Sequence, residues 1–352
     1  MTLDPERIRV LHAAKLRALA RNVLGLEVTE VTGTVDGALA VTVGRRPAVV
    51  SLAQEHAERA LGGALALAVR AGCDDVHVFA EHHSDVLARR AACFVPPPSV
   101  WAVEGAGATP AEPALRLVGP APPRVPELVA LLADAGVEVV AEHGVITGEI
   151  EGLEVARIVE TPPPCGENGE WDDGDDAARR CPGWRVEVGV GTHDREAFSV
   201  LHADEPTPGA LRRVAEAVRA HRSPGAPPHP LNRLAAARWL RSLLVRSPGL
   251  AGASRLRAAP PPVARSGPKD RAPAVAYGVT PRGRRLVVVA CVGIDLDVVP
   301  FAADARQYLD PDAALTVALP KRDAHSVIRS MAARLSRPAQ LAEIDDDWRA
   351  VS

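Results

Sequence analysis

The sequence predicts an α/β protein built of tandem units in the order α-β-β-β-α-β-α-β, with a less regular α/β unit between them. Two observations carry this. Apolar residues recur at helical spacing in some stretches and in short runs bounded by Gly and Pro in others, and the same order of such stretches is met twice. The bulk composition also fits: 352 residues, 47% hydrophobic and 24% charged, are globular values and enough chain for more than one core.

The first unit spans residues 1–105. A helix over 4–24 opens with Asp4 as N-cap and Pro5 in the first turn. Strands follow at Leu26–Val31, Ala38–Val43 and Ala48–Leu52, the last two split by the turn Gly44-Arg45-Arg46. A helix ends at the C-cap Gly72, and then come a strand Val76–Ala80, a helix Ser84–Phe94 and a strand Val100–Val103. The last unit, 229–352, repeats the order. Its helix is stopped by Pro248-Gly249. Strands follow at Ala253–Ala258, Ala274–Val279 and Leu286–Val292, then a helix Val298–Tyr308, a strand Leu315–Leu319, a helix His325–Leu335 and a strand Gln340–Ile344. The segments VHVFAEHHSDVLARRAACF and LTVALPKRDAHSVIRSMAARL read as the same strand, turn and helix, so an internal duplication is expected.

The middle unit, 106–228, starts with a Pro-, Ala- and Gly-rich linker over 106–126. A helix Glu127–Ala135, strands at Val137–Ala141, Val145–Glu160 and Trp184–Gly191, and a helix Pro208–His221 follow. The acidic, Pro-rich loop 161–183 is expected to be mobile.

Charge is segregated along the chain. Its net value of -3 conceals a stretch from Asn232 to Arg285 with twelve basic residues and one acid, Asp270. Almost all the positive charge is arginine; the lysines are Lys15, Lys269 and Lys321. Such a stretch is the footprint of a phosphate-backbone binder, because the guanidinium fork grips phosphate oxygens in pairs. The candidate nucleic-acid contacts are Arg238, Arg241, Arg246, Arg255, Arg257, Arg265, Arg271, Arg282, Arg284 and Arg285. A solvated face, or docking of the basic unit on the acidic part of the same chain, would leave the same pattern. Aromatic residues are only 3%, which disfavours a base-stacking platform for single strands.

In the middle unit GEIEGLEVARIVE places Glu149, Glu151 and Glu154 at near-alternate strand positions, and WRVEVGVGTHDREAF adds Glu187 and His193. A hairpin that brought Glu151 or Glu154 beside Glu187 would offer oxygen ligands to magnesium, with His193 as base or ligand. The bland alternative is a solvent-facing strand edge and a helix cap at Asp194. Asp295, Asp297 and Asp304 follow the strand Leu286–Val292, with Asp297 expected to cap the next helix. The five cysteines, Cys73, Cys93, Cys165, Cys181 and Cys291, are odd in number and widely spaced, as in a reducing cytoplasm. No run of apolar residues reaches the length of a membrane span, and no Walker loop, dinucleotide fingerprint or nucleophile elbow is present.

The order of elements in the first and last units resembles the PD-(D/E)XK, restriction-endonuclease-like fold. That resemblance implies an Asp opening the second strand, an acid-x-Lys pair on the third, and carboxylates that hold a divalent metal. Asp36 and Asp270 match the first position. At the acid-x-Lys place the chain reads Ser51-Leu52-Ala53 and Val289-Ala290-Cys291, so the resemblance implies degenerate, non-catalytic copies. Three functions follow as expectations. The first is non-catalytic nucleic-acid binding with no cofactor, the second a magnesium-dependent nuclease using Glu151, Glu154, Glu187 and His193, and the third a scaffold for a protein partner.

Overall fold

The computed structural model describes residues 4–34, 36–42, 47–54, 57–115, 119–161, 183–191, 194–195, 207–264 and 272–350. The protein is α/β. Its first stretch runs α1 (Pro5–Leu24), β1 (Val31–Thr34), β2 (Gly37–Val41), β3 (Ala48–Ala53), α2 (Leu61–Ala71), β4 (Asp75–Ala80), α3 (Ser84–Ala91), β5 (Ser99–Glu104) and β6 (Gly107–Pro110). These strands form one sheet in the order β1-β2-β3-β4-β5-β6. β1 to β3 form an antiparallel meander, β3, β4 and β5 are parallel, and β6 returns antiparallel on β5. The parallel steps need crossovers, which α2 and α3 supply. Strand β6 lies where composition predicts linker: its burial is slight, so no alternation marks it.

The helix ends follow their sequence signals. Asp4 accepts a hydrogen bond from Glu6 N–H, and Gly25 (φ 66°) and Gly72 (φ 64°) close α1 and α2 in the left-handed conformation. Leu16, Leu19 and Ala20 of α1 pack on Val50, Leu52 and Phe79 of the sheet.

The middle stretch runs α4 (Pro126–Asp134), β7 (Glu138–Glu142), β8 (Val145–Ile150), β9 (Leu153–Thr161), β10 (Gly183–Val188) and α5 (Thr207–Arg222). Its sheet is antiparallel, in the order β10-β9-β8-β7. The single strand expected over Val145–Glu160 is a hairpin instead. Glu151 (φ 47°) and Gly152 (φ 72°) form its two-residue turn, with positive φ at both places as a type I′ turn requires. His143-Gly144 turns β7 into β8 in the same way. Leu132, Val155, Ile158 and Leu211 form the core beneath this sheet.

The last stretch runs α6 (Ala236–Arg246), β11 (Arg255–Ala259), β12 (Ala274–Val279), β13 (Arg285–Ala290), α7 (Val298–Leu309), β14 (Ala314–Pro320), α8 (Ser326–Ala333) and β15 (Gln340–Ile344), with the sheet order β11-β12-β13-β14-β15. β13, β14 and β15 are parallel.

By contacts the chain forms two compact units. Unit 1 is 1–118, 248–255 and 277–346; unit 2 is 119–247, 256–276 and 347–352. Within unit 1 the first and last stretches meet directly. α2 packs on α8 and α7, and α3 packs on α7. Phe94 and Leu335, each just beyond its helix, form an antiparallel bridge. Val95 N–H donates to Arg334 O and Ser336 N–H donates to Cys93 O, both at 2.8 Å. Such reciprocal pairs are what an antiparallel bridge makes.

Candidate functional sites

In unit 2, helix α6 carries Arg238, Arg241, Ser242 and Arg246 at spacings of three and four residues, hence on one side. That side meets the carboxylates of β7, β8 and the turn after β8. Glu149 accepts from Arg238 (3.2 Å) and Arg241 (2.7 Å), Glu142 accepts from Arg241 (2.6 Å), Glu138 accepts from Ser242 (3.0 Å) and Glu151 accepts from Arg246 (2.7 Å). Arg241 and Glu149 are each 1% exposed. Burial opposes the charge on Arg241, but Glu149, Glu142 and Glu138 outweigh it and raise its pKa. Burial raises the pKa of Glu138, with Arg241 working against it. Arg238 and Arg241, expected as nucleic-acid contacts, are therefore internal cations held by carboxylates and offer nothing to a phosphate.

The sheet brings together part of the expected carboxylate site. Glu154 on β9 accepts from Arg157 (2.9 and 3.0 Å) and from Arg195 (2.7 Å). Glu187 on β10 faces Arg157 across the strands and pairs with Arg185 (2.7 Å) and Arg195 (3.8 Å). Arg195 thus joins Glu154 to Glu187, while Glu151 lies on the hairpin turn and not on the strand beside Glu149. His193 lies outside the described residues, as do Cys165, Cys181 and most of the loop 161–183. Among the described residues no group of three His, Cys, Asp or Glu side chains could hold a metal ion. A divalent cation needs the carboxylate oxygens that Arg157 and Arg195 occupy, so as arranged these residues do not fit the metal of the nuclease fold. A cavity of about 100 Å³ lined by Glu142, His143, Glu149, Glu154, Arg157 and Arg238 adjoins them, with room for a few waters.

In unit 1 the acids that follow β13 are engaged with the first stretch. Asp295 accepts from Arg59 (2.8 Å), and Asp304 accepts from Arg89 (2.8 and 3.0 Å) and Arg90 (3.1 Å). Asp297 stands at the N-cap position of α7 without capping it. Its Oδ1 accepts from Gly62 N–H (2.8 Å) and so caps α2 instead. Burial pushes the Asp297 carboxyl up to about 7. Of the positions matched to the nuclease-like fold, Asp36 is exposed in the turn before β2, the buried β3 ends Ser51-Leu52-Ala53, and Asp270 lies outside the described residues.

The remaining arginines gather at one end of the five-stranded sheet. Arg285 is exposed at the start of β13, and Arg282 and Arg284 are exposed on the β12–β13 turn. Arg255 begins β11 next to it, since Ser254 N–H donates to Val279 O (2.8 Å). Arg285 pairs with Asp310 (2.8 Å), whereas Arg255, Arg282 and Arg284 have no carboxylate partner among the described residues. Arg257 is also exposed on β11; Arg265 and Arg271 lie outside the described residues. Beside this cluster a cavity of about 450 Å³ is lined by Arg284, Arg306, Arg337, Thr280, Thr316 and Ser336, with Leu286 and Leu315. Arg306 and Arg337 escaped the sequence reading because the chain after Leu286 is net acidic. Asp295, Asp297 and Asp304 are engaged by the first stretch, while Arg306 and Arg337 line the cavity.

No family model, curated protein or solved structure matches the chain. Among the described residues no helix is long and apolar enough to cross a membrane.

Proposed function

We propose that the protein binds nucleic acid through its phosphate backbone, without cleaving it, on the cationic end of unit 1. The observation that carries this reading is the exposed group Arg255, Arg282 and Arg284, which have no carboxylate to neutralise them among the described residues. Clustered guanidinium groups on one face attract phosphate and form bidentate contacts with it. The absence of an acid-x-Lys pair from β3 and β13 favours binding without cleavage, and the element order of the two stretches favours kinship with the PD-(D/E)XK fold. No cofactor enters this reading.

Fluorescence anisotropy with labelled duplex DNA across a salt series tests it. Three or four phosphates neutralised by arginine give a log–log slope of about -3 to -4, hence roughly 10²-fold weaker binding between 50 and 200 mM salt. The triple variant R282E/R284E/R285E is expected to lose most of that slope. An affinity unchanged in the variant, or no binding by the wild type at low salt, overturns the proposal.

A further inference from the structure

We infer that the cavity beside the cationic edge is a binding site for a phosphate monoester, carried either on the end of a nucleic acid or on a free mononucleotide. The inference rests on the phosphate-binding reading above and gives it a site of defined chemistry.

The lining is one-sided. Arg284, Arg306 and Arg337 contribute three guanidinium groups, Thr280, Thr316 and Ser336 contribute hydroxyls, and no Asp or Glu lines the cavity. Arg306 is the informative member. It is 2% exposed, its Nη1 donates to Arg337 O at 2.9 Å, and its Nε has no hydrogen-bond partner. No carboxylate pairs with it among the described residues, and burial together with the charge of Arg337 pulls its pKa down. The other buried arginine of unit 1 among the described residues is satisfied differently: Arg90 is as buried and has Asp304. A buried guanidinium without a carboxylate is unfavourable unless a counter-charge is supplied, and Arg306 lines a cavity an anion can enter.

Charge and shape select the kind of anion. Arg337 is partly neutralised by the exposed Asp312 (3.3 Å), so the cavity carries about two positive charges. A monoester bears about -1.5 to -2 near neutral pH, against -1 for a phosphodiester link. An internal phosphate has chain on both sides and lies along a surface, whereas a terminal phosphate can enter a recess. A volume of about 450 Å³ also admits the sugar or nucleoside attached to it.

The test compares 5′-phosphorylated with 5′-hydroxyl oligonucleotides of one sequence near 0.15 M salt, and titrates adenosine monophosphate and inorganic phosphate calorimetrically. The phosphorylated strand is expected to bind about tenfold more tightly, as two charge-assisted contacts would give. That preference is expected to vanish in Arg284→Gln, whose exposed position leaves folding intact, and in Arg306→Met. Competition by the mononucleotide should remove the increment and leave the residual binding. Equal affinity of the two strands, with no saturable mononucleotide or phosphate binding, overturns the cavity assignment and leaves the backbone reading standing. Saturable mononucleotide binding lost in Arg284→Gln, without any oligonucleotide binding, upholds the site as one for a free phosphate ester while the nucleic-acid reading fails.

Discussion

Asp297 joins chemistry to stability at the scale of one residue. Its carboxyl is raised to about 7 by burial, against an ordinary value near 3.8. Between about pH 4 and 7 the folded chain holds a proton that the unfolded chain has lost, so this group makes stability fall as pH rises through that window. Asp297→Asn keeps an acceptor for Gly62 N–H and removes the ionisation. The variant is expected to match the wild type near pH 4 and to exceed it by a few kcal/mol above pH 7, at about 1.4 kcal/mol per pKa unit. Urea midpoints for unit 1 at several pH values check this, and a wild-type slope retained in the variant assigns the pH dependence elsewhere. A second prediction concerns the pair Glu149–Arg241. Removing one partner leaves a buried charge alone, so Glu149→Gln or Arg241→Met should each cost about 3–5 kcal/mol in unit 2. The double variant should lose much less than the sum, and a denaturation double-mutant cycle measures the difference. At this scale the sequence was legible in kind and not in use. It showed that 232–285 was basic, but Arg238 and Arg241 needed the fold to reveal their acids, just as Asp297 needed α2 to reveal which helix it caps.

Elements were more legible than side chains, because periodicity and caps act locally. Asp4 and Gly72 bound their helices as their chemistry dictates, and β12 runs over the expected Ala274–Val279. The hairpin at Glu151-Gly152 was hidden because Glu-Gly lacks the Asn-Gly or Asp-Gly signature and both flanks are apolar. Tertiary packing explains the glycine there: a Cβ on Gly152 would lie 2.2 Å from the Arg238 backbone carbon. Gly62 gives a sharper case, since alanine is the better helix former by about 1 kcal/mol. A Cβ at Gly62 would stand 2.2 Å from Leu296 O, which is backbone and cannot swing aside. Gly62→Ala is therefore expected to destabilise unit 1 despite its helix propensity. A thermal melt of the variant against Gly63→Ala, whose Cβ would meet nothing within 4 Å, isolates the contact. A lower melting temperature for Gly62→Ala and a raised one for Gly63→Ala is the expected pattern; similar shifts in both would remove the packing explanation.

At the scale of the whole molecule, the two outer stretches pack on each other within unit 1, which takes Pro248–Arg255 and Tyr277–Asp346 of the last one. The α/β class of both stretches was legible from spacing. Their mutual packing was not, because the residues that carry it are ordinary ones: a Phe94–Leu335 bridge, a glycine against a carbonyl and arginines that resemble surface charge. This arrangement has a consequence in time. Arg59 and its partner Asp295 are 236 residues apart. At a synthesis rate of roughly 5–20 residues per second, the earlier half waits on the order of 10–50 s for the later one. Throughout that interval the growing chain presents α2 and α3 without the helices of the last stretch that pack on them, and the Phe94 bridge unmade. Neighbouring chains on one message carry the same complement, so the rate of translation bears on whether the first half closes with its own second half or with another's.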